Sequence, residues 1–364
     1  MAVGDGKDSR KEPRVHKGRG ATLNPGSRYL NTTSAPVDDG WNLQEEPDPA
    51  PATEFFPDRT VRLITRNASP DVPFDRSINA YKGCEHGCVY CFARPTHAYL
   101  DLSPGLDFET KIFYKTNVRE RLVDELSARS YRCRPIAMGT NTDPYQPVEK
   151  RLRITRTILE VAAECRHPVS IVTKNALVLR DLDVLEDLAG DGLVSVMLSV
   201  TTLSNALKVK LEPRTASPSA RLRAVAGLHR RDVPVGVMVA PVIPFINDHE
   251  IEAIVERAAA AGAAVAGHTL IRLPLEIKAL FEAWLAEHYP MKAKRVMAAI
   301  HDAHGGKAYN SAWGERMRGK GAFADLLAAR MAAARKRHGL AGKRLPPLRT
   351  DLFRPPQGGQ LSLW

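Results

Sequence analysis

The sequence predicts an α/β chain: an open, partial barrel of six (β/α) units, with a disordered leader before it and a basic, mainly helical extension after it. Three observations carry that prediction. Apolar, β-branched runs alternate with amphipathic helical segments along the middle of the chain, the pattern of parallel strands covered by helices. Residues 1–58 are rich in Gly, Pro, Ser, Asp and Lys and hold few apolar runs, a composition that buries too little surface to order itself. The last 74 residues hold 15 Lys and Arg against four Asp and Glu, which accounts for the whole +11 net charge. The expected division is a leader over 1–58, a core over 59–273 and an extension over 274–364.

The first strand is expected at Ser77–Tyr81, just before a group of cysteines. A helical period covers Val118–Arg129, and a second strand follows at Pro135–Asn141. The next pairs are a helix at Thr155–Glu164 with a strand at Pro168–Thr173, and a helix at Leu179–Leu188 with a strand at Leu193–Val200. Leu193–Val200 and Val233–Val242 are apolar and valine-rich, as strands covered on both faces must be. The Ser219–Arg230 helix lies between them. An Asp248–Ala261 helix and an Ala264–Leu273 strand complete the sixth unit. Leu275–Glu287, Met291–His301 and Ala322–His338 have helical periodicity, and a Pro-rich segment follows at 346–356.

Three of the five cysteines, Cys84, Cys88 and Cys91, stand in C-x3-C-x2-C spacing. Three thiolates on one tight loop hold a metal centre one ligand short, which separates catalytic metal sites from closed structural ones. Gly83 and Gly87, beside the first two cysteines, let the backbone turn tightly. A disulfide with a spare thiol does not suit so few cysteines and no export signal, which also points to the cytoplasm. Two centres remain: a [4Fe–4S] cluster with one open iron, or zinc with His86 or His97 as fourth ligand. Cys133 and Cys165 do not pair by spacing, and Cys165 falls on an apolar helical face. No apolar run reaches the roughly 18 residues of a membrane span.

Ligands of parallel α/β barrels bind at the C-terminal strand ends. Several polar residues occupy such positions. Asn141, Thr142 and Asp143 follow the second strand, and Thr173, Lys174 and Asn175 the third. Ser199, Thr201 and Thr202 close the fourth, and Arg272 closes the sixth.

The cysteine spacing, with Tyr90 before the last cysteine and Phe92 after it, resembles the radical SAM superfamily. The longer context, residues 80–100 and 139–149, is similar to its spore photoproduct lyase-like branch, and within that to a bacterial group of uncharacterised proteins. The resemblance runs from about Ser77 to Asp248. It implies a [4Fe–4S] cluster on Cys84, Cys88 and Cys91 whose open iron takes S-adenosylmethionine. It also implies reductive cleavage to a 5′-deoxyadenosyl radical, hydrogen abstraction from a substrate, and an outside reductant of flavodoxin or ferredoxin type.

The needs of that cofactor assign roles. Lys174 suits the carboxylate, Asp143 or Thr142 the amine, Ser199 the ribose, and the backbone at Phe92 the adenine edge. The plainer reading of each is a cap or a turn. Tyr99 matches a tyrosine just beyond the cluster in the lyase branch and is a catalytic candidate. At the position of the lyases' hydrogen-donating cysteine stands Asn141. An amide has no thiol hydrogen to give, so a reaction or substrate other than thymine-dimer reversal is expected. Glu212 and Arg214 are expected as an ion pair bordering the site, or as a loop brace. Tyr145, Gln146 and Glu149 are expected to border the substrate.

The basic excess includes Arg316, Arg318, Lys320, Arg335, Lys336, Arg337, Lys343 and Arg344. Such clustering is the electrostatic footprint of a polyanion binder, with DNA or RNA as the partner class; the plainer reading is a solvated helix face. Three function classes stand. One is a radical SAM enzyme on nucleic acid or another large anion. Another is such an enzyme on a small molecule or protein. The last is a zinc-stabilised nucleic-acid binder without catalysis.

Overall fold

The structure is a computed structural model, and it describes residues 14–30 and 51–356. Ten strands form in chain order: β1 (Glu54–Asp58), β2 (Ile64–Arg66), β3 (Arg76–Ile78), β4 (Tyr81–Lys82), β5 (Lys111–Lys115), β6 (Ile136–Met138), β7 (Val169–Thr173), β8 (Val194–Ser199), β9 (Val235–Val242) and β10 (Val265–Leu270). Seven make one sheet in the order β10-β9-β8-β7-β6-β3-β2. The six from β3 to β10 are parallel, and β2 is an antiparallel edge strand. β10 and β2 end the sheet on opposite sides without pairing to each other, so the predicted six-unit barrel is open.

The central strands form where the chain is most continuously apolar. In β8, five of six residues are buried, and Val169, Ile171, Val196, Leu198, Val237 and Val239 join one core cluster. The connecting helices cover it with single apolar stripes: Ile158, Leu159, Val161 and Ala162 on Ile154–Glu164, and Ile254, Val255 and Ala258 on Ile251–Ala260. Parallel strands need such crossovers, which return the chain to the same edge each time. All six C-terminal strand ends therefore share one mouth.

The Ser77–Tyr81 expectation is corrected. The chain leaves the main sheet at Ile78 and enters a second, three-stranded sheet, β1-β5-β4. Tyr81 and Lys82 pair antiparallel with Tyr114 and Phe113, and β1 runs parallel to β5. This small sheet fixes the direction in which the cysteine loop departs.

Two pieces of the segment assigned to the leader carry ordered structure: β1, and a strap at 14–30 across the cysteine loop. In the strap, Gly20 and Ala21 N–H donate to the Glu109 carboxylate at 2.9 and 2.8 Å. Residues 1–13 and 31–50 lie outside the described residues. At the other end, helices Ile277–His288 and Pro290–Ala303 pack against the cysteine loop in a second core cluster with Val89, Tyr90, Leu211 and Ile243. Trp284 is buried there and donates its indole N–H to Lys210 O at 2.9 Å. Helix Gly321–Arg337 docks on Ile251–Ala260 through Arg330 and Glu252 at 2.7 Å. The chain then crosses the far end of the barrel, where Arg354 N–H bonds Cys165 O and Phe353 packs on Tyr131 and His167. Cys165 is core, as expected. No helix among the described residues is long and apolar enough to cross a membrane.

Candidate active site

The cysteine loop begins where β4 ends. Cys84 N–H bonds Phe108 O at 2.9 Å, Cys91 N–H bonds Cys88 O at 3.2 Å, and Val89 N–H bonds Leu211 O at 3.1 Å. Gly83 and Gly87 have φ of 81° and 67°, a region that disfavours any side chain. A Cβ on Gly83 would lie 2.9 Å from the His97 ring, and one on Gly87 would lie 2.7 Å from Glu109 Oε2. The loop is thus closed around its backbone, with all five cysteines of the chain as free thiols.

A clamp from the segment after β6 holds this loop. Thr142 Oγ1 donates to Gly83 O at 2.7 Å, and Gln146 Nε2 donates to the same carbonyl at 3.3 Å. Gln146 Oε1 accepts Glu85 N–H at 2.9 Å, and Glu85 Oε2 accepts Val148 N–H at 2.7 Å. The expectation that Tyr145, Gln146 and Glu149 border the substrate is corrected, because all three are fully buried. Tyr145 donates to Asp181 at 3.1 Å. Glu149 takes hydrogen bonds from Tyr81, Thr155 N–H and Arg180. The motif is a brace for the metal loop.

At the mouth, Asp143 accepts from Thr173 Oγ1 at 2.7 Å, Tyr145 N–H at 2.9 Å and Lys174 N–H at 2.8 Å, and His86 Nδ1 lies 3.3 Å away. Burial opposes its ionisation, but His86 and these donors hold its carboxyl below the usual range. Both oxygens are therefore engaged. Lys174 Nζ reaches Ala240 O at 2.8 Å, Thr201 Oγ1 at 3.1 Å and Glu212 Oε1 at 3.1 Å, and sits 5.6 Å from the Tyr90 ring centre.

Glu212 is fully buried and pairs with Arg221 as well as Lys174, accepting further bonds from Tyr90 and Thr201. Burial opposes its charge too, but the two cations keep its carboxyl well below the usual range. The expected Glu212–Arg214 pair does not form: Arg214 reaches back to Glu85 at 3.2 Å. Ser199 is buried at the end of β8, and its carbonyl accepts from Arg221 at 2.8 Å.

The remaining candidates lie further out. Phe92 is half-exposed, with the Arg272 guanidinium 4.2 Å above its ring. Among the described residues no carboxylate pairs with Arg272. Tyr99 is 70% exposed and stacks on Tyr29 at 5.3 Å, with Arg28 over both rings. Asn141 N–H bonds the Asn79 side chain at 2.9 Å, and its amide reaches Thr96 Oγ1 at 3.4 Å.

Burial pushes all three cluster thiols up. Cys84 is raised further by Asp143 and its two neighbours, and Cys88 by Glu212. Such thiols become ligands when a cationic centre displaces their protons. A donor set of three soft sulfurs fits an iron–sulfur centre. Of the imidazoles that a zinc site would need, His86 has both ring nitrogens engaged, whereas His97 is held through Nε2 alone and its Nδ1 is buried without a hydrogen bond. His86 faces Asp143 and Asn175, and His97 Nε2 lies 3.0 Å from Lys111 O between Phe108 and Phe113. Among the described residues no three His, Cys, Asp or Glu side chains converge on a single ion position.

Sequence reasoning missed Arg221, Glu109 and Arg94. Arg221 is three, four and seven residues before Ala224, Val225 and Leu228, so a charge on an apolar helical face was the available signal. Glu109 and Arg94, which pair fully buried beneath the loop, carry no such signal.

The model of the Radical SAM superfamily matches residues 78–258. Uncharacterised proteins of Mycobacterium bovis and Mycobacterium tuberculosis are 40% identical over 228 residues, covering 62% of this chain and 66% of theirs. One from Methanocaldococcus jannaschii is 30% identical over 48% of this chain and 62% of its own. The matches therefore span just under two thirds of these relatives. Among solved structures, spore photoproduct lyase complexed with dinucleoside spore photoproduct superposes with a TM-score of 0.56 at 15% identity, over 78% of this chain and 79% of that one. At that identity the likeness is one of fold.

Proposed function

The chain carries a radical SAM domain, with a [4Fe–4S] cluster and S-adenosylmethionine as its cofactors, and we propose that it is an enzyme acting on nucleic acid or another large anionic substrate. One observation carries the reading: three thiols on a braced loop, two of them buried, with His86 held by Asp143 and His97 Nε2 held against Lys111 O. When bound, the cofactors supply a 5′-deoxyadenosyl radical, and the protein supplies orientation and exclusion.

The residues divide by what they hold. Cys84, Cys88 and Cys91 bind the cluster, and Thr142 and Gln146 keep their loop in place. Asp143, with both oxygens engaged, orients Lys174 and His86. Lys174 binds the cofactor carboxylate by turning from Glu212, whose charge Arg221 continues to balance. Phe92 and Ser199 line the adenosine side. Arg272, stacked on Phe92 without an acid partner among the described residues, adds a second cation there. Tyr99 and Asn141 face the substrate. A flavodoxin- or ferredoxin-type protein delivers the electron. The substrate class follows from the charge gathered in the last 74 residues.

The test is anaerobic product analysis of the reconstituted protein with S-adenosylmethionine, dithionite and a cell-derived nucleic-acid fraction. Nucleic-acid-dependent 5′-deoxyadenosine and an altered nucleotide are expected, and both vanish in Cys88→Ala. Stimulation by a small-molecule or protein fraction alone would reassign the substrate.

A further inference from the structure

Residues 305–319, which join helices Pro290–Ala303 and Gly321–Arg337, run between β10 and the β2–β3 hairpin on the open side of the barrel. Its two sides are attached differently. On the β10 side the bonds are to backbone: Leu270 N–H to Met317 O at 3.0 Å and Leu273 N–H to Ala308 O at 3.3 Å. Beside them, His304 Nε2 lies 2.8 Å from Ile271 O. On the hairpin side nearly everything rests on one acid. Asp71 Oδ1 accepts Gly314 N–H at 2.6 Å, and Asp71 Oδ2 lies 2.5 Å from Arg316 Nε. Ser69 adds one bond to Arg316 at 2.5 Å.

The Asp71–Arg316 contact is close but poorly directed. Both atoms are buried, and neither has a hydrogen bond of acceptable geometry, so Coulomb attraction holds them without the directional part of the bond. Gly305, Gly306 and Gly319 bound the segment, all with positive φ, and nothing lies within 4 Å of where a Cβ on Gly305 or Gly306 would be. Those are the properties of a hinge. Arg316 also stacks on Trp313 at 4.5 Å, and that ring is 58% exposed. Arg272, whose guanidinium lies 4.2 Å from the Phe92 ring centre beside Cys91, stands between Leu270 and Leu273, the two residues whose N–H groups bond the segment. The segment therefore borders the same site.

We propose that residues 305–319 are a hinged lid over the side of the barrel, latched by Asp71, and that a phosphate group of the incoming substrate opens it by taking the place of Asp71 on Arg316 and Gly314 N–H. Asp71 is then an internal stand-in for an anion. Lys307, Arg318 and Lys320 flank the latch, and Glu315, the one acid within 305–319, is bonded to Lys320 and Asn310. The ligand half of this inference rests on the proposed anionic substrate. The latch half does not.

Hydrogen exchange on the reconstituted, full-length protein tests both. Asp71→Asn is expected to speed exchange at 305–319 about tenfold, the size of one charge-assisted contact, with helix 290–303 unchanged. Arg316→Gln is expected to do the same, and the double variant no more than either. In the wild type, inorganic tripolyphosphate at low salt is expected to reproduce the effect, and Asp71→Asn to respond no further. Unchanged exchange in both single variants, additive effects, or an equal rise in helix 290–303 would overturn the latch. No response of the wild type to tripolyphosphate would overturn release by phosphate while leaving the proposed reaction standing.

Discussion

Replacing Glu212 with Gln removes one charge from the most densely paired position in the site. The carboxylate is fully buried, Arg221 is 1% exposed, and Lys174 is 16% exposed beside it. Gln keeps the shape and one acceptor, so Tyr90 or Thr201 can still donate to it. It cannot balance two cations. Breaking a buried pair by removing one partner costs about 3–5 kcal/mol, because the remaining charge stays desolvated. Lys174 is partly hydrated and reduces that figure, so a loss of about 3 kcal/mol is expected. Urea unfolding of the full-length protein, with thiols kept reduced, measures it. The double variant Glu212→Gln/Lys174→Met is expected to recover part of the loss, since it removes one orphaned cation. A loss below about 1 kcal/mol, or no recovery in the double variant, would refute the reasoning.

Four further outcomes follow from the same geometry. Gln146→Leu leaves Glu85 N–H without its acceptor, a cost of about 1–3 kcal/mol; the cluster is expected to be lost several-fold faster to chelator, and an unchanged rate would count against the clamp. In Gly20→Ala the new methyl would lie 1.7 Å from Gly87 O, so the strap must lift; faster proteolysis near residue 20 and faster bleaching of the cluster in air are expected. Burial holds His167 at a pKa of about 4, while Pro168 O and Tyr131 engage its ring. Its folded pKa is depressed, so its contribution is full above about pH 6.5 and is lost as pH falls towards 4, about 3 kcal/mol in all; His167→Asn should lose less stability over that range. Neutralising Arg335, Lys336 and Arg337 together is expected to weaken oligonucleotide binding about tenfold at low salt and flatten its salt dependence.

The main sheet was legible because β8 and most of β9 are buried on both faces, which forces continuous valine-rich runs into the sequence, and because β7 alternates between buried Val169, Ile171 and Thr173 and a more open second face. The small sheet was not. β4 has two residues, and β1 includes Pro57 and is only partly buried, so neither carries a periodic signal. The strap at 14–30 reads as leader by composition. What orders it includes the carboxylate of Glu109, some ninety residues away, and no local pattern announces such a partner.

The site divides the same way. The cysteine spacing is local and was readable. The Glu212–Arg221–Lys174 network is assembled from the end of β7, the C-terminus of helix Asn205–Leu211 and helix Pro218–His229, so Arg214, the sequence neighbour, was the wrong partner to choose. Tyr145, Gln146 and Glu149 were placed at the substrate because they stand in the Asp143-Pro-Tyr-Gln-Pro motif, but that segment turns inward against the metal loop.

The proposed cofactor site is a [4Fe–4S] cluster on Cys84, Cys88 and Cys91 whose open iron takes S-adenosylmethionine. Anaerobic reconstitution followed by dithionite and S-adenosylmethionine tests it directly. A brown protein with about four irons per chain that releases 5′-deoxyadenosine is expected, unaffected by Cys165→Ala and abolished by Cys88→Ala. A colourless protein with one zinc per chain and no 5′-deoxyadenosine would contradict it.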